Sequence, residues 1–225
     1  MKSPHFWHRL IFIAVAAGLV LAPLAFGGST GWFTDAFAVT VGVLVVAWSA
    51  TALISPGQSQ IHLRPVLVPA CLFFVVVLWC FFQATFPVSD SLAHTAWNEA
   101  ERLLGAPVSR VLSVDPEASL AGAMRLAGYG FVFLLCYQFA GDEPRAIRLL
   151  ALITAAGAIY SVYGIALELT GSRFVLWYER PFEIGNLSST FPNRNAFASY
   201  ATLCLLSGFM LLYRRTIRQD DRTKG

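Results

Sequence analysis

Charge is what this chain has least of. Of its 225 residues, 16 are Lys or Arg and 13 are Asp or Glu, 13% in all, whereas 56% are hydrophobic and the mean hydropathy is +0.61. A soluble domain carries charge on about a quarter of its residues, so this composition excludes one and points to a membrane. Cysteine is sparse as well. Cys71, Cys80, Cys136 and Cys204 all fall inside apolar runs, without the paired spacing of a zinc site or of a secreted disulfide framework, and are expected to be packing residues. No metal and no cofactor is expected. The net charge of +3 is not gathered on a soluble face; Lys and Arg here act first as a topology signal, and nucleic-acid binding is not implied. The chain also lacks an evident internal repeat and any helix interrupted at mid-bilayer depth.

What is present is a set of long apolar runs. A membrane-spanning helix needs about 20 mainly apolar residues, and six stretches qualify, at roughly 9–27, 33–54, 66–87, 119–139, 147–169 and 195–213. The expected fold is all-α: a polytopic integral membrane helix bundle forming one transmembrane domain over residues 1–225. The apolar run from Ile11 to Phe26 is long for a signal peptide and other spans follow it, so it is expected to be a retained first span. Alternating spans put the two longer connections, 88–118 and 170–194, on the same side. With the N-terminus inside, ten Lys and Arg (Lys2, Arg9, Arg64, Arg145, Arg148 and five from Arg214 to Lys224) fall inside. Six (Arg102, Arg110, Arg125, Arg173, Arg180, Arg194) fall in the longer outer segments and their margins. Both termini are therefore expected to be cytoplasmic.

In the first outer connection, Ala93, Ala96, Trp97, Ala100 and Leu104 recur at helical spacing, predicting a short amphipathic helix over 91–104 that lies in the interface with Trp97 at headgroup level. Gly105 and Pro107 should stop it. Asp115-Pro116-Glu117 has the order of an N-cap, a first helical residue and a first-turn acid. In the fifth span, Gly157, Ser161 and Gly164 predict close helix packing. Glu168, one turn beyond Gly164, is the only carboxylate inside an apolar run; the plainer account is that it reaches the interface, the sharper that it faces a cavity.

The second outer connection holds Arg173, Glu179, Arg180, Glu183 and Arg194 among Phe174, Trp177, Tyr178, Phe182 and Phe191. Arginines beside aromatic rings suit a sugar against a ring face and a phosphate against a guanidinium fork; an aromatic belt with headgroup charges is the plainer alternative. The sharper clue is Phe191-Pro192-Asn193-Arg194-Asn195. Pro192 keeps the last helix from starting earlier, so Asn193 can cap it and Arg194 sits where helix N–H groups point outward, a suitable place for a diphosphate. A polar stripe then continues through Asn195, Ser199 and Thr202, which in lipid should face other helices.

The run Ser189-Thr190-Phe191-Pro192-Asn193-Arg194-Asn195-Ala196-Phe197-Ala198-Ser199-Tyr200 resembles the motif TF-x-NRN-x-x-A-x-Y of the bacterial O-antigen ligase and polymerase-like family. Leu112-Ser113-Val114-Asp115-Pro116 is similar to a second segment of those proteins. The resemblance implies an inner-membrane, multi-pass glycosyltransferase of cell-envelope lipopolysaccharide or polysaccharide biosynthesis with its site on the periplasmic side. Its donor would be a polyprenyl-diphosphate-linked glycan, its acceptor lipid A core or a growing polysaccharide. It places Arg194 and Asn195, with Asn193, near the diphosphate; Arg173 and Arg180 are further candidates for that role. Trp177, Tyr178 and Glu183 are candidates for glycan contact. No catalytic base is assigned, with Glu179, Glu183 and His94 on the correct side. Because family members continue into further spans, the chain is expected to be the N-terminal part of a larger fold, or to be completed by a second polypeptide. A transporter or flippase for a lipid-linked substrate and a non-catalytic assembly subunit stand as alternatives.

Overall fold

A computed structural model describes residues 4–25, 31–54, 64–179 and 185–224. Helices α1 (Pro4–Leu21), α2 (Gly31–Ile54), α3 (Leu67–Thr85), α4 (Ala96–Leu104), α5 (Pro116–Ala140), α6 (Glu143–Thr170) and α7 (Arg194–Lys224) follow in order, with a two-residue hairpin, β1 (Phe174–Val175) and β2 (Tyr178–Glu179), between α6 and α7. Among the described residues six helical stretches are long and apolar enough to cross a membrane, and their limits follow the six runs in the sequence. All but α4 belong to this set. The last helix overshoots its predicted end, continuing from the apolar stretch through the basic run to Lys224.

The packing fixes which ends lie together. Phe12, midway along α1, meets Phe139 at the end of α5 edge to face, with ring centroids 5.4 Å apart, and Leu135, Leu149, Val41 and Trp48 close a core around them. Arg214 of α7 pairs with Glu143, the first residue of α6. The N-terminal half of α1, the α5–α6 turn and the basic part of α7 therefore lie toward one end of the bundle. At the other, the Tyr160 hydroxyl of α6 donates to the Val20 carbonyl of α1 at 2.9 Å. That carbonyl lies where Pro23, which has no N–H, tightens the end of the helix into a 3-10 turn. Helices α6 and α7 run antiparallel and very close, because a side chain at Gly157 would collide with Cys204; the packing role expected of Gly157 is what the structure shows.

The first long connection is a folded cap rather than a helix on a tether. Its helix begins at Ala96, five residues later than the spacing predicts, because Ser89 accepts the N–H groups of Leu92 and Ala93 in a turn and His94 Nδ1 accepts the Ala96 N–H at 3.1 Å. Gly105, in the left-handed region at φ 65°, ends it as expected. Trp97 is half-buried, and its indole N–H donates to the Val111 carbonyl at 2.9 Å, because an indole donor shielded from water takes a nearby acceptor. Leu92, Leu103 and Leu104 are exposed.

Backbone bonds from Val88 N–H to Arg110 and from Ser113 N–H to Gln83 tie the two ends of this connection to each other and to α3. Arg110 clamps the middle, reaching Glu101 at 2.5 Å and Asp90 at 3.2 Å. The Arg110 hydrogen bond, helped by the Val108 N–H, holds the Glu101 carboxyl below its ordinary range. At the end of the connection Asp115 caps α5, its carboxylate accepting the Ala118 N–H at 2.9 Å with Pro116 in the first turn.

Candidate functional site

The polypeptide leaves α6 at Thr170, turns through the hairpin and comes back along the outside of the same helix before entering α7. Leu176, at the hairpin tip, has φ 53°, an uncommon conformation for a branched side chain; its N–H donates to the Tyr163 hydroxyl of α6 at 2.8 Å, which holds the tip down. Val175 is buried beneath it while Phe174 and Trp177 are exposed.

The returning segment is not a surface loop. Ser188, Ser189 and Thr190 are 4%, 0% and 2% exposed, three small polar residues pressed against an apolar helix. Gly164 makes room for them. A Cβ there would lie 2.9 Å from Ser189 Cβ and 3.2 Å from Ser189 Cα, well inside van der Waals contact, so the small residue expected to pack a helix in fact packs this segment. Ser189 sits in the left-handed region at φ 52°, and its hydroxyl donates to the Tyr160 carbonyl at 2.7 Å. The Phe191 N–H returns to the Ser188 carbonyl at 2.9 Å to close the turn. The Ser189 hydroxyl thus ties the segment to the backbone of α6.

The turn delivers the chain into α7. Phe191 packs on Phe197 and Tyr200, with centroids 5.8 and 5.0 Å away, and Tyr160 meets Tyr200 edge to face at 5.9 Å. Val20 and Leu24 of the first span pack against this aromatic cluster. Asn193 caps α7 as expected: its side-chain oxygen accepts the Ala196 N–H at 2.8 Å and its carbonyl accepts the Phe197 N–H. Among the described residues no hydrogen bond takes the Asn195 N–H, which helix geometry directs out of the end of α7. Arg194, exposed in the first turn, donates from Nη1 to Asn186 Oδ1 at 3.0 Å.

The sequence-predicted residues are brought together only in part. Asn193, Arg194 and Asn195 form one exposed corner at the start of α7. Arg173 is exposed just before the hairpin that Tyr163 pins to α6. Arg180 and Glu183 lie outside the described residues, and Tyr178 contributes only the backbone of β2 to the description. Trp177 stands exposed at the hairpin tip. Glu179 ends β2 and Glu168 is half-buried near the end of α6. His94, exposed, belongs to the turn that opens α4. Among the described residues no three His, Cys, Asp or Glu side chains are grouped as a metal would require.

Among the described residues, the stripe of Asn195, Ser199 and Thr202 is not covered by another helix of this chain. All three are exposed, because α7 turns Phe197, Cys204 and Ser207 toward α6 and these residues lie on the remaining face. The Ser199 and Thr202 hydroxyls donate to carbonyls one turn back, at Asn195 and Ala198, which lowers the cost of that exposure. The burial of Ser188, Ser189 and Thr190 and the bond from Arg194 to Asn186 were not foreseen from the sequence. The signal available for them was Gly164, whose missing side chain has to be explained by something pressed against it. Compared with models of known families, with curated proteins and with solved structures, the chain matches none.

Proposed function

We propose that the chain is an O-antigen ligase or polymerase-like glycosyltransferase of the bacterial inner membrane, or the N-terminal portion of one, acting on a polyprenyl-diphosphate-linked glycan at the periplasmic face. One observation carries this reading: a buried, Pro-terminated turn delivers Arg194 and the Asn195 N–H to the exposed start of an apolar helix. A guanidinium fork and a helix N-terminus both favour a diphosphate. In the transfer, the acceptor hydroxyl oxygen attacks the anomeric carbon, the bond from that carbon to the diphosphate oxygen breaks, and the acceptor proton leaves to a base. Arg194 neutralises charge on the departing diphosphate. Exposed Trp177 is placed to stack a sugar ring.

The exposed polar stripe of α7 favours one second reading, a non-catalytic assembly subunit that meets another membrane polypeptide through Asn195, Ser199 and Thr202. Complementation of a strain lacking the gene, scored by surface polysaccharide with protein level checked by blot, separates the two. Arg194→Ala and Arg194→Lys should both lower transfer on the order of a hundredfold, since lysine keeps the charge but not the planar two-pronged grip. Full complementation by Arg194→Ala at normal expression would remove the transferase reading and leave the assembly subunit.

A further inference from the structure

Arg125 is a charge set inside a membrane span. It follows Pro116, the first residue of α5, by two and a half turns, about 13 Å along the helix, and its side chain is exposed. Among the described residues it makes no hydrogen bond and no ion pair. Asp35 of α2 does not serve it. Gly128 meets Ala38 where these two parallel helices touch, and one turn earlier on each helix the two charges swing to opposite sides of that contact. An arginine at such a depth calls for an anion or a polar partner. Helix side chains lean toward the helix N-terminus, so the guanidinium points back toward the end of the bundle where α5 begins. Gly122, one turn nearer that end, leaves room for a ligand, because nothing lies within 4 Å of the place its side chain would take.

The same face of α5 leads into a cavity. Val132, two turns further along that face, lines an apolar slot of about 310 Å³ between α1, α2 and α5. The slot runs from Trp32 to Leu44 on α2 and from Ala22 to Ala14 on α1, roughly 18 Å along the first of these, so it is long and parallel to the helices. Among the described residues that line it only Thr40 is polar, and the Thr40 hydroxyl is bonded to the Ala36 carbonyl at 2.8 Å. Leu21 and Trp32, at the end nearer Arg125, are exposed, which leaves the slot open to lipid. We infer that this is a phospholipid site, in which the phosphate meets Arg125 and one acyl chain descends past Val132 into the slot. A single guanidinium matches the one negative charge of a phosphodiester, whereas a diphosphate carries more. A slot at the small end of the range for ligand sites, about 300–1,000 Å³, suits one slender acyl chain better than a long branched polyprenyl. The ligand is therefore distinct from the glycan donor assigned to Arg194, and the inference stands without that assignment.

The test is native mass spectrometry of the purified full chain in detergent, titrated with phosphatidylglycerol and, as the arm that lacks phosphate, with diacylglycerol of the same acyl chains. One phosphatidylglycerol should bind the wild type, and Arg125→Gln should weaken it on the order of tenfold or more, the size of a lost hydrogen bond between charged groups. Ala36→Phe, which fills the slot and leaves Arg125 in place, should weaken it by a similar factor without lowering the melting temperature. Ala14→Leu fills the slot from α1 instead, should the phenylalanine variant fail to fold. Undiminished binding in a folded, slot-filled variant would mean that Arg125 only meets passing headgroups, and would overturn the inference. Equal binding of diacylglycerol, or wild-type affinity in Arg125→Gln, would overturn it as well. Polyprenyl diphosphate should not displace the bound phosphatidylglycerol; displacement would give the site to the glycan donor and end the phospholipid assignment.

Discussion

Gly164 shows how one missing side chain organises the site. With Ser189 Cβ only 2.9 Å from where an alanine methyl would sit, and backbone at 3.2 Å, Gly164→Ala cannot be absorbed by a flexible side-chain tip. It should cost about 1–3 kcal/mol, the usual range for overpacking, and displace the segment before α7, so that thermal unfolding shifts downward and glycan transfer falls while membrane insertion is kept. A variant with unchanged melting temperature and full transfer would mean that the segment is not held as described. The sequence made the importance of Gly164 legible but not its partner. Small residues at i, i+3 and i+4 spacing signal close approach; they do not say whether a helix or a returning loop approaches. Asn193 was legible to the level of its hydrogen bond, because the order Pro, Asn, then an apolar run admits few local structures.

At the scale of elements, the connection between α3 and α5 is tied together by one arginine, Arg110, that serves two acids. Glu101 is held below the ordinary carboxylate range chiefly by its hydrogen bond to Arg110 and next by the Val108 N–H. A carboxyl depressed in the folded state adds stability that is fully present above its unfolded value, near 4.5, and is lost as the pH falls through the lower folded value. Hydrogen exchange over residues 86–113, corrected for intrinsic rates, should therefore show strong protection at neutral pH that fades well below pH 4.5. Glu101→Gln should show the reduced protection already at neutral pH and little further change on acidification. Equal protection of both forms across that range would show that the ion pair does not hold the cap. The amphipathic spacing made the short helix readable, but not what the Trp97 indole bonds. Its acceptor, the Val111 carbonyl, lies fourteen residues away, and contacts of that range leave no periodic trace.

For the whole molecule, six apolar runs translated almost directly into six helices, because in lipid only helices or closed barrels satisfy their own backbone. Which faces of those helices meet was less legible: α7 turns Cys204 and Ser207, rather than Ser199 and Thr202, toward α6. The grouping of the N-terminal half of α1, the α5–α6 turn and the basic stretch of α7 toward one end of the bundle, together with the excess of Lys and Arg in those segments, leads to the expectation that this end is cytoplasmic. A single cysteine introduced at position 98 in a cysteine-free background should be labelled from outside the cell by an impermeant thiol reagent. Labelling only from the cytoplasmic face would place the candidate site on the wrong side for glycan assembly.

The central claim is that the helix end bearing Arg194 grips a lipid diphosphate, and direct binding tests it with the fewest intermediaries. Native mass spectrometry of the purified chain titrated with polyprenyl diphosphate should show one bound lipid for the wild type. Apparent affinity should be about tenfold or more weaker for both Arg194→Lys and Arg194→Ala, as expected for loss of a two-pronged charged contact, with neutral polyprenol bound weakly and equally by all three. Equal affinity of wild type and Arg194→Ala for the diphosphate would contradict the account.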